Sequence, residues 1–149
     1  MKIAMMTTIA CTLAVPVWGA ENIQLRLTHE KPGEKSDRME IVHGDPNAPL
    51  KEVVFVDQKA LVDQTEVKSA QLEASHDGTP CVELLLTDSG AHALRHDFGR
   101  HVALVVDGQA LVAGELTRAN ETEKIDLLGD FTKGEAQRAV DRINQSAAH

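Results

Sequence analysis

The chain has 149 residues, 42% of them hydrophobic, which is enough for one domain with a buried core. Its 23 acidic residues outnumber its 15 basic ones, and a net charge of −8 argues against nucleic acid and anionic lipid surfaces as partners. With three Phe, one Trp and no Tyr, the chain also lacks an aromatic platform for stacking sugars or bases.

The first twenty residues have the pattern of a secretory signal peptide. One basic residue precedes an apolar run from Ile3 to Val17, and the small residues Gly19 and Ala20 end the segment. This pattern predicts a signal peptide over residues 1–20 and a single exported domain over residues 21–149. The apolar run is short for a bilayer span and no basic stop-transfer cluster follows, so we expect no stable membrane anchor after cleavage and a periplasmic or secreted location.

Beyond the predicted signal peptide the chain has one cysteine, Cys81, which lies in the apolar stretch CVELLLT. A single cysteine cannot form an internal disulfide, and no histidine is placed to activate it as a nucleophile. We therefore interpret Cys81 as a buried small hydrophobic residue. An export signal without a disulfide framework is typical of a periplasmic globular domain.

Hydrophobic periodicity predicts three strands in the first part of the exported chain. Apolar and polar residues alternate over residues 23–28, the period of a half-buried strand. A shorter second strand is predicted over residues 39–43, and a third, rich in β-branched residues, over residues 52–56. Turn-forming residues separate them at Pro32-Gly33 and at Gly44–Pro49.

The middle of the chain combines one ambiguous segment with a second hairpin. Over residues 61–70, Asp63 or Thr65 is a candidate cap for a single helical turn that carries Val67 and Ala70. Further strands are predicted over residues 71–75 and 81–86, joined by an Asp-Gly turn at residues 76–79.

A hairpin over His101–Ala113 is the predicted centre of the sheet. Two apolar arms flank Asp107-Gly108, a dipeptide typical of a two-residue turn with positive φ at both positions. Few polar residues interrupt either arm, so we expect both faces to be covered, by helices that precede and follow the hairpin. Short strands are then predicted over residues 115–118 and 125–128.

Two helices are predicted late in the chain. Thr87 is a good N-cap for the first helix, which Gly99 ends. Thr132 and Glu135 have the spacing of a capping box for the second helix, whose apolar face is Ala136, Ala139, Val140 and Ile143. The predicted fold class is therefore α+β, a mixed and mainly antiparallel β-sheet covered by two α-helices.

Three motifs occur in one order: LTDSGA at Leu86–Ala91, VVDG at Val105–Gly108 and GDFTKGEA at Gly129–Ala136. Together they resemble the head subdomain of the first large periplasmic domain of SecD, the accessory subunit of the bacterial Sec protein translocase. In that family a strand runs into L-T-x-x-G-A and a helix, a hairpin carries V-x-D-G, and G-x-F-T-x-x-E-A opens a further helix. The resemblance covers residues 60–145 and implies a SecD head-like fold.

The resemblance implies a non-enzymatic periplasmic interaction domain that contacts unfolded polypeptide or a membrane-bound assembly. An open sheet edge or an apolar groove between helices and sheet would be the physical route. SecD has several transmembrane helices and a base subdomain, and we expect neither here, so its proton-driven role does not carry over. The motifs are also explained by turn and cap chemistry, so they indicate architecture and not reactivity.

A metal-binding protein using His92, His96 and His101 is the alternative function. His92 and His96 are four residues apart on the predicted helix, a spacing that can chelate zinc with His101 as a third ligand and Asp97 nearby. No His-Glu-x-x-His pattern is present and Gly99 separates His101 from the helix, so an exposed polar helix face is favoured. The sequence predicts no catalytic residue, no metal ligand and no cofactor.

Overall fold

A computed structural model describes residues 22–43, 50–75, 77–119 and 122–147, so the predicted signal peptide lies outside the described residues. The strands are β1 Ile23–His29, β2 Ser36–His43, β3 Leu50–Asp57, β4 Val67–Ala74, β5 Pro80–Leu86, β6 His101–Val106, β7 Gln109–Arg118 and β8 Lys124–Leu128. The helices are α1 Asp88–Ala93 and α2 Lys133–Ala147, with a 3-10 turn at Gln64–Glu66.

The described strands form one sheet in the order β2-β3-β1-β6-β7-β8-β5-β4, and each neighbouring pair is antiparallel. The predicted hairpin of β6 and β7 lies at the centre. Asp107 has φ of 52° and Gly108 has φ of 79°, the two positive values that a type I′ turn requires. The prediction of a central Asp-Gly hairpin is confirmed.

The sheet curls back on itself at β1. Ile23–Leu27 pair with β6, whereas Thr28 and His29 pair with β3, so β1 turns a corner between two parts of the sheet. The β2-β3 hairpin consequently folds over the outer face of β6 and β7. There Ile41 and Val56 pack with Ala103, Val105 and Ala110 in a small second core.

The main core fills the inside of this curl, and α2 closes it. Four fully buried leucines contributed by β1, β6, β7 and β8 belong to the same core as the apolar face of α2, which packs on β4, β5 and β7. That face is Ala136, Ala139, Val140 and Ile143, as predicted from their helical spacing. The antiparallel α+β prediction therefore holds in outline. The expectation that helices cover both faces of the central hairpin is wrong, because a β-hairpin covers the outer face.

Two local predictions also differ from the structure. Asp63 caps a single turn as predicted, a 3-10 turn, but Val67 and Ala70, which that turn was expected to carry, lie in β4. Helix α1 ends at Ala93, six residues before Gly99. After Ala93 the chain continues in turns, in which Arg95 and Asp97 donate to carbonyls three residues back, and it then pairs with β7, where the Gly99 N–H donates to Leu116 and the Leu116 N–H donates to Arg100.

Candidate functional site

One end of the sheet is an open edge. Strand β2 is the last strand in the order beyond β3. On the side of β2 that faces away from β3, the described residues make one backbone hydrogen bond, from the Ser36 N–H to the Gly33 carbonyl. An unpaired edge of this kind is a template for adding another extended strand.

The hydrogen-bond pattern defines which β2 residues point outward. Gln58 donates its N–H to the Lys35 carbonyl at 2.9 Å, which makes these directly opposite residues a hydrogen-bonded pair. Hydrogen-bonded and non-hydrogen-bonded pairs alternate along an antiparallel ladder. The backbone N–H and C=O groups of Arg38, Glu40 and Val42 therefore point away from β3, toward the open edge.

The same three residues share the outer face of the β2-β3 hairpin. Met39 and Ile41 pack into the second core, and side chains alternate along a strand, so Arg38, Glu40 and Val42 face the other way. Val42 is 49% exposed, and its diagonal neighbour Val53 on β3 is 42% exposed. Exposed apolar side chains beside free backbone groups are typical of a surface that contacts another chain.

Two adjoining depressions extend alongside the β2 edge, and we call them together the β2 groove. The larger, of about 550 Å³, lies between β2 and α2 over the start of β7. The smaller, of about 320 Å³, continues toward the Asp-Gly turn. Their lining residues are Arg38, Met39, Glu40, Val42, Gly108, Gln109, Ala110, Leu111, Glu135, Arg138, Ala139, Asp141, Arg142 and Gln145.

The opposite edge of the sheet is covered. The side-chain amide of Asn144 on α2 accepts from the Ala70 N–H and donates to the Ala70 C=O, both at 2.9 Å. These are the backbone groups that β4 would offer to an added strand. Helix α2 therefore covers the β4 edge at Ala70.

His43 fastens the end of β2 to the start of α2. Its Nδ1 lies 2.6 Å from Glu135 Oε2 and its Nε2 lies 2.8 Å from Glu52 Oε1. Burial lowers the pKa of His43, but the two carboxylates raise it more, so the net pKa is above the ordinary 6.5. Two carboxylate partners require both ring nitrogens to donate, so the geometry favours the imidazolium.

The histidines of the predicted alternative site do not converge. Because α1 ends at Ala93, His92 and His96 do not share a helix face, and His101 begins β6, with all three side chains exposed. Asp97 accepts a hydrogen bond from Arg100. Within the described ranges no group of three or more His, Cys, Asp or Glu residues is arranged to hold a metal ion.

Cys81 lies in β5, next to the turn of the β4-β5 hairpin, and is 2% exposed. Burial, followed by the charge of Asp126, raises the pKa of its thiol to about 11. A thiol with so high a pKa is a poor nucleophile at neutral pH, in line with its interpretation as a small core residue.

No protein-family model and no curated protein matches this chain. Among solved structures, one of SecDF in a "super-membrane-facing form" matches with a TM-score of 0.50 and 15% identity over 94% of this chain. The chain has the fold of a SecDF domain. The resemblance drawn from the three motifs is confirmed at the level of fold. The structural match also includes β1, β2 and β3, which precede the residues that the motif resemblance covers.

The chain spans 21% of the length of that SecDF chain. A second structure, of "a membrane component SecDF that enhances protein export", matches with a TM-score of 0.49 and 15% identity, over 97% of this chain and 71% of its own. Within the described part of this chain, no helix is both long and apolar enough to cross a bilayer.

Sequence reasoning named an open edge as a route of interaction but not the strand that carries it. The alternation Arg38-Met39-Glu40-Ile41, with charges on one face, is a signal typical of an edge strand. The contact between His43 and Glu135 has no such signal, since 92 residues separate them along the chain.

Proposed function

We propose that this chain is a non-enzymatic periplasmic domain that takes up extended polypeptide during protein export, by adding it as a strand to β2. A role in export is what the resemblance to SecD, an accessory subunit of the Sec protein translocase, implies, and the fold shared with a SecDF structure supports that resemblance. The strand-addition route rests on the geometry of the β2 edge.

The observation that carries the proposal is the row of outward backbone groups on Arg38, Glu40 and Val42. Backbone pairing recognises any extended segment, whatever its side chains, which suits a protein that meets many unfolded chains. The β2 groove provides space beside this row, and Val42, Leu111 and Ala139 add apolar surface to its walls.

A proline substitution tests the backbone pairing directly. Glu40→Pro removes an N–H that points away from β3, so the β2-β3 ladder keeps its hydrogen bonds, while the added strand loses one. Glu40→Ala removes the same side chain and keeps the N–H, which makes it the matched control. The probe is fluorescein-labelled, reduced and carboxymethylated α-lactalbumin, which stays unfolded, and binding is followed by fluorescence anisotropy.

We expect Glu40→Pro to weaken binding about tenfold and Glu40→Ala to change it by less than about threefold. Circular dichroism of both variants verifies that the fold is kept. Equal affinity of Glu40→Pro and the unmodified protein would rule out strand addition at β2. Absence of binding by the unmodified protein would rule out polypeptide uptake altogether.

A further inference from the structure

We infer that the β2 edge selects the charge order of the strand it takes up, and this inference rests on the proposed function. An antiparallel segment binds best with an apolar residue facing Val42, a basic residue facing Glu40 and an acidic residue facing Arg38. Read from its N-terminus, the preferred segment is apolar-x-basic-x-acidic, with x for any residue.

The charges of Arg38 and Glu40 have no directly opposite counter-charge on β3. Arg38 pairs with Phe55 and Glu40 pairs with Val53 in the register of the hairpin. Arg38 and Glu40 contact each other along the strand at 3.3 Å, and Lys51 reaches Glu40 diagonally at 3.8 Å. A counter-charge directly opposite Arg38 or Glu40 can therefore come only from a strand added at the open edge of β2.

Both side chains are positioned to respond to such a strand. The side chain of Arg38 is 59% exposed and that of Glu40 is 39% exposed, so each can reach a neighbour across the edge. Opposite charges that face each other on antiparallel strands stabilise the pairing, and like charges destabilise it. Since two positions contribute, reversing the charge order exchanges two favourable pairs for two unfavourable ones.

Direction and charge order are linked at this edge. The described sheet is antiparallel at every neighbouring pair, and the alternating outward groups of β2 suit an antiparallel partner. A parallel strand would present the charges in the reverse order along its own sequence. The order of charges in the preferred peptide therefore reports the direction of the added strand.

Two labelled peptides of identical composition test the inference by fluorescence anisotropy. The first is Thr-Val-Thr-Lys-Thr-Glu-Thr and the second is Thr-Val-Thr-Glu-Thr-Lys-Thr, each with blocked ends. We expect the protein to bind the first about tenfold more tightly at low salt, with a smaller ratio in 1 M NaCl. The charge-swapped variant Arg38→Glu/Glu40→Arg should prefer the second peptide by a similar ratio.

A matched control exchanges two neighbouring exposed charges away from the edge, Glu30→Lys/Lys31→Glu, and should keep the original preference. Equal binding of both peptides to the unmodified and the charge-swapped protein would overturn the charge-order inference and leave the proposed function standing. Binding of neither peptide, with no binding of the unfolded protein above, would overturn both. Sedimentation that shows a dimer which the first peptide cannot dissociate would assign the edge to a second copy and overturn the inference.

Discussion

His43 joins β2 to the N-terminus of α2 through both nitrogens of its ring. On the helix side its partner, Glu135, is 5% exposed and also accepts from the Thr132 N–H as part of the capping box. Burial raises the pKa of Glu135, but the Thr132 N–H and His43 lower it more, to below its ordinary value. One carboxylate therefore serves the helix cap and the contact with β2.

The His43 contact predicts a stability that falls as pH rises. Because the folded pKa is raised, the contribution of His43 is complete below pH 6.5 and is lost as the pH passes the folded pKa. We expect His43→Gln to lower the free energy of unfolding by about 1 to 2 kcal/mol at pH 6 and by less at pH 9. Urea titrations at the two pH values measure this, with His96→Gln as the exposed control, and equal losses would contradict it.

Asp126 contrasts with His43, because its surroundings disfavour the charged form of its side chain. Burial, followed by Glu83 directly opposite on β5, raises its pKa to about 6. Its Oδ1 is buried and makes no hydrogen bond with the described residues. The charged form is therefore destabilising, and the cost is present above pH 6 and fades as the pH falls toward 4.

We expect Asp126→Asn to stabilise the protein at pH 8 by on the order of 1 kcal/mol, since the amide removes the charge at nearly constant shape. The gain should disappear near pH 4, where the carboxyl is protonated in the folded protein. Thermal unfolding followed by circular dichroism at both pH values measures it. Glu34→Gln in an exposed loop is the control for net charge, and a gain that does not depend on pH would contradict the assignment.

At the scale of elements, the spacing of neighbouring residues correctly predicted the caps of both helices. The Thr132 hydroxyl accepts from the Glu135 N–H and the Glu135 carboxylate accepts from the Thr132 N–H, as the capping-box spacing indicates. Thr87 caps α1 by accepting from the Gly90 N–H. Helix α1 ends before the predicted Gly99, because Arg95 and Asp97 donate to carbonyls three residues back and Gly99 then pairs with β7.

Strands β7 and β8 approach so closely that Gly114 has no room for a side chain. A Cβ at this position would overlap the Leu128 carbonyl oxygen and lie 2.8 Å from its carbon, both backbone atoms that cannot move alone. We expect Gly114→Ala to lower the free energy of unfolding by about 1 to 3 kcal/mol. Gly33→Ala, whose nearest atom is the Ser36 hydroxyl at 3.9 Å, is the control in the same urea titration. Similar losses for the two variants would contradict this account of β7.

At the scale of the whole molecule, the curl of the sheet makes its two edges unequal. The β2-β3 hairpin turns outward over β6 and β7, while α2 spans the inside and reaches β4. The helix therefore covers β4 at Ala70, and the outward backbone groups of β2 remain available for an added strand. The sequences of β2 and β4 alone therefore do not determine which edge is covered.

The cover over β4 depends on one amide side chain. We expect Asn144→Ala to speed hydrogen exchange of the Ala70 N–H about tenfold, because that group loses its acceptor and faces solvent. Gln137→Ala, on the exposed side of α2, should leave the exchange unchanged. Amide exchange measured by NMR decides this, and unchanged protection of Ala70 in the Asn144 variant would mean that another group covers the β4 edge.

The sequence by itself determined the features that depend on neighbours along the chain: the Asp-Gly hairpin, the helix caps, the apolar face of α2 and the alternation of the strands. Each follows from the spacing of a few adjacent residues. Only the tertiary structure decided which edge is open, how β2 and β3 cover the central hairpin, and that His43 meets Glu135. These outcomes depend on strand register and sheet curvature, which are set by packing between segments far apart in the chain.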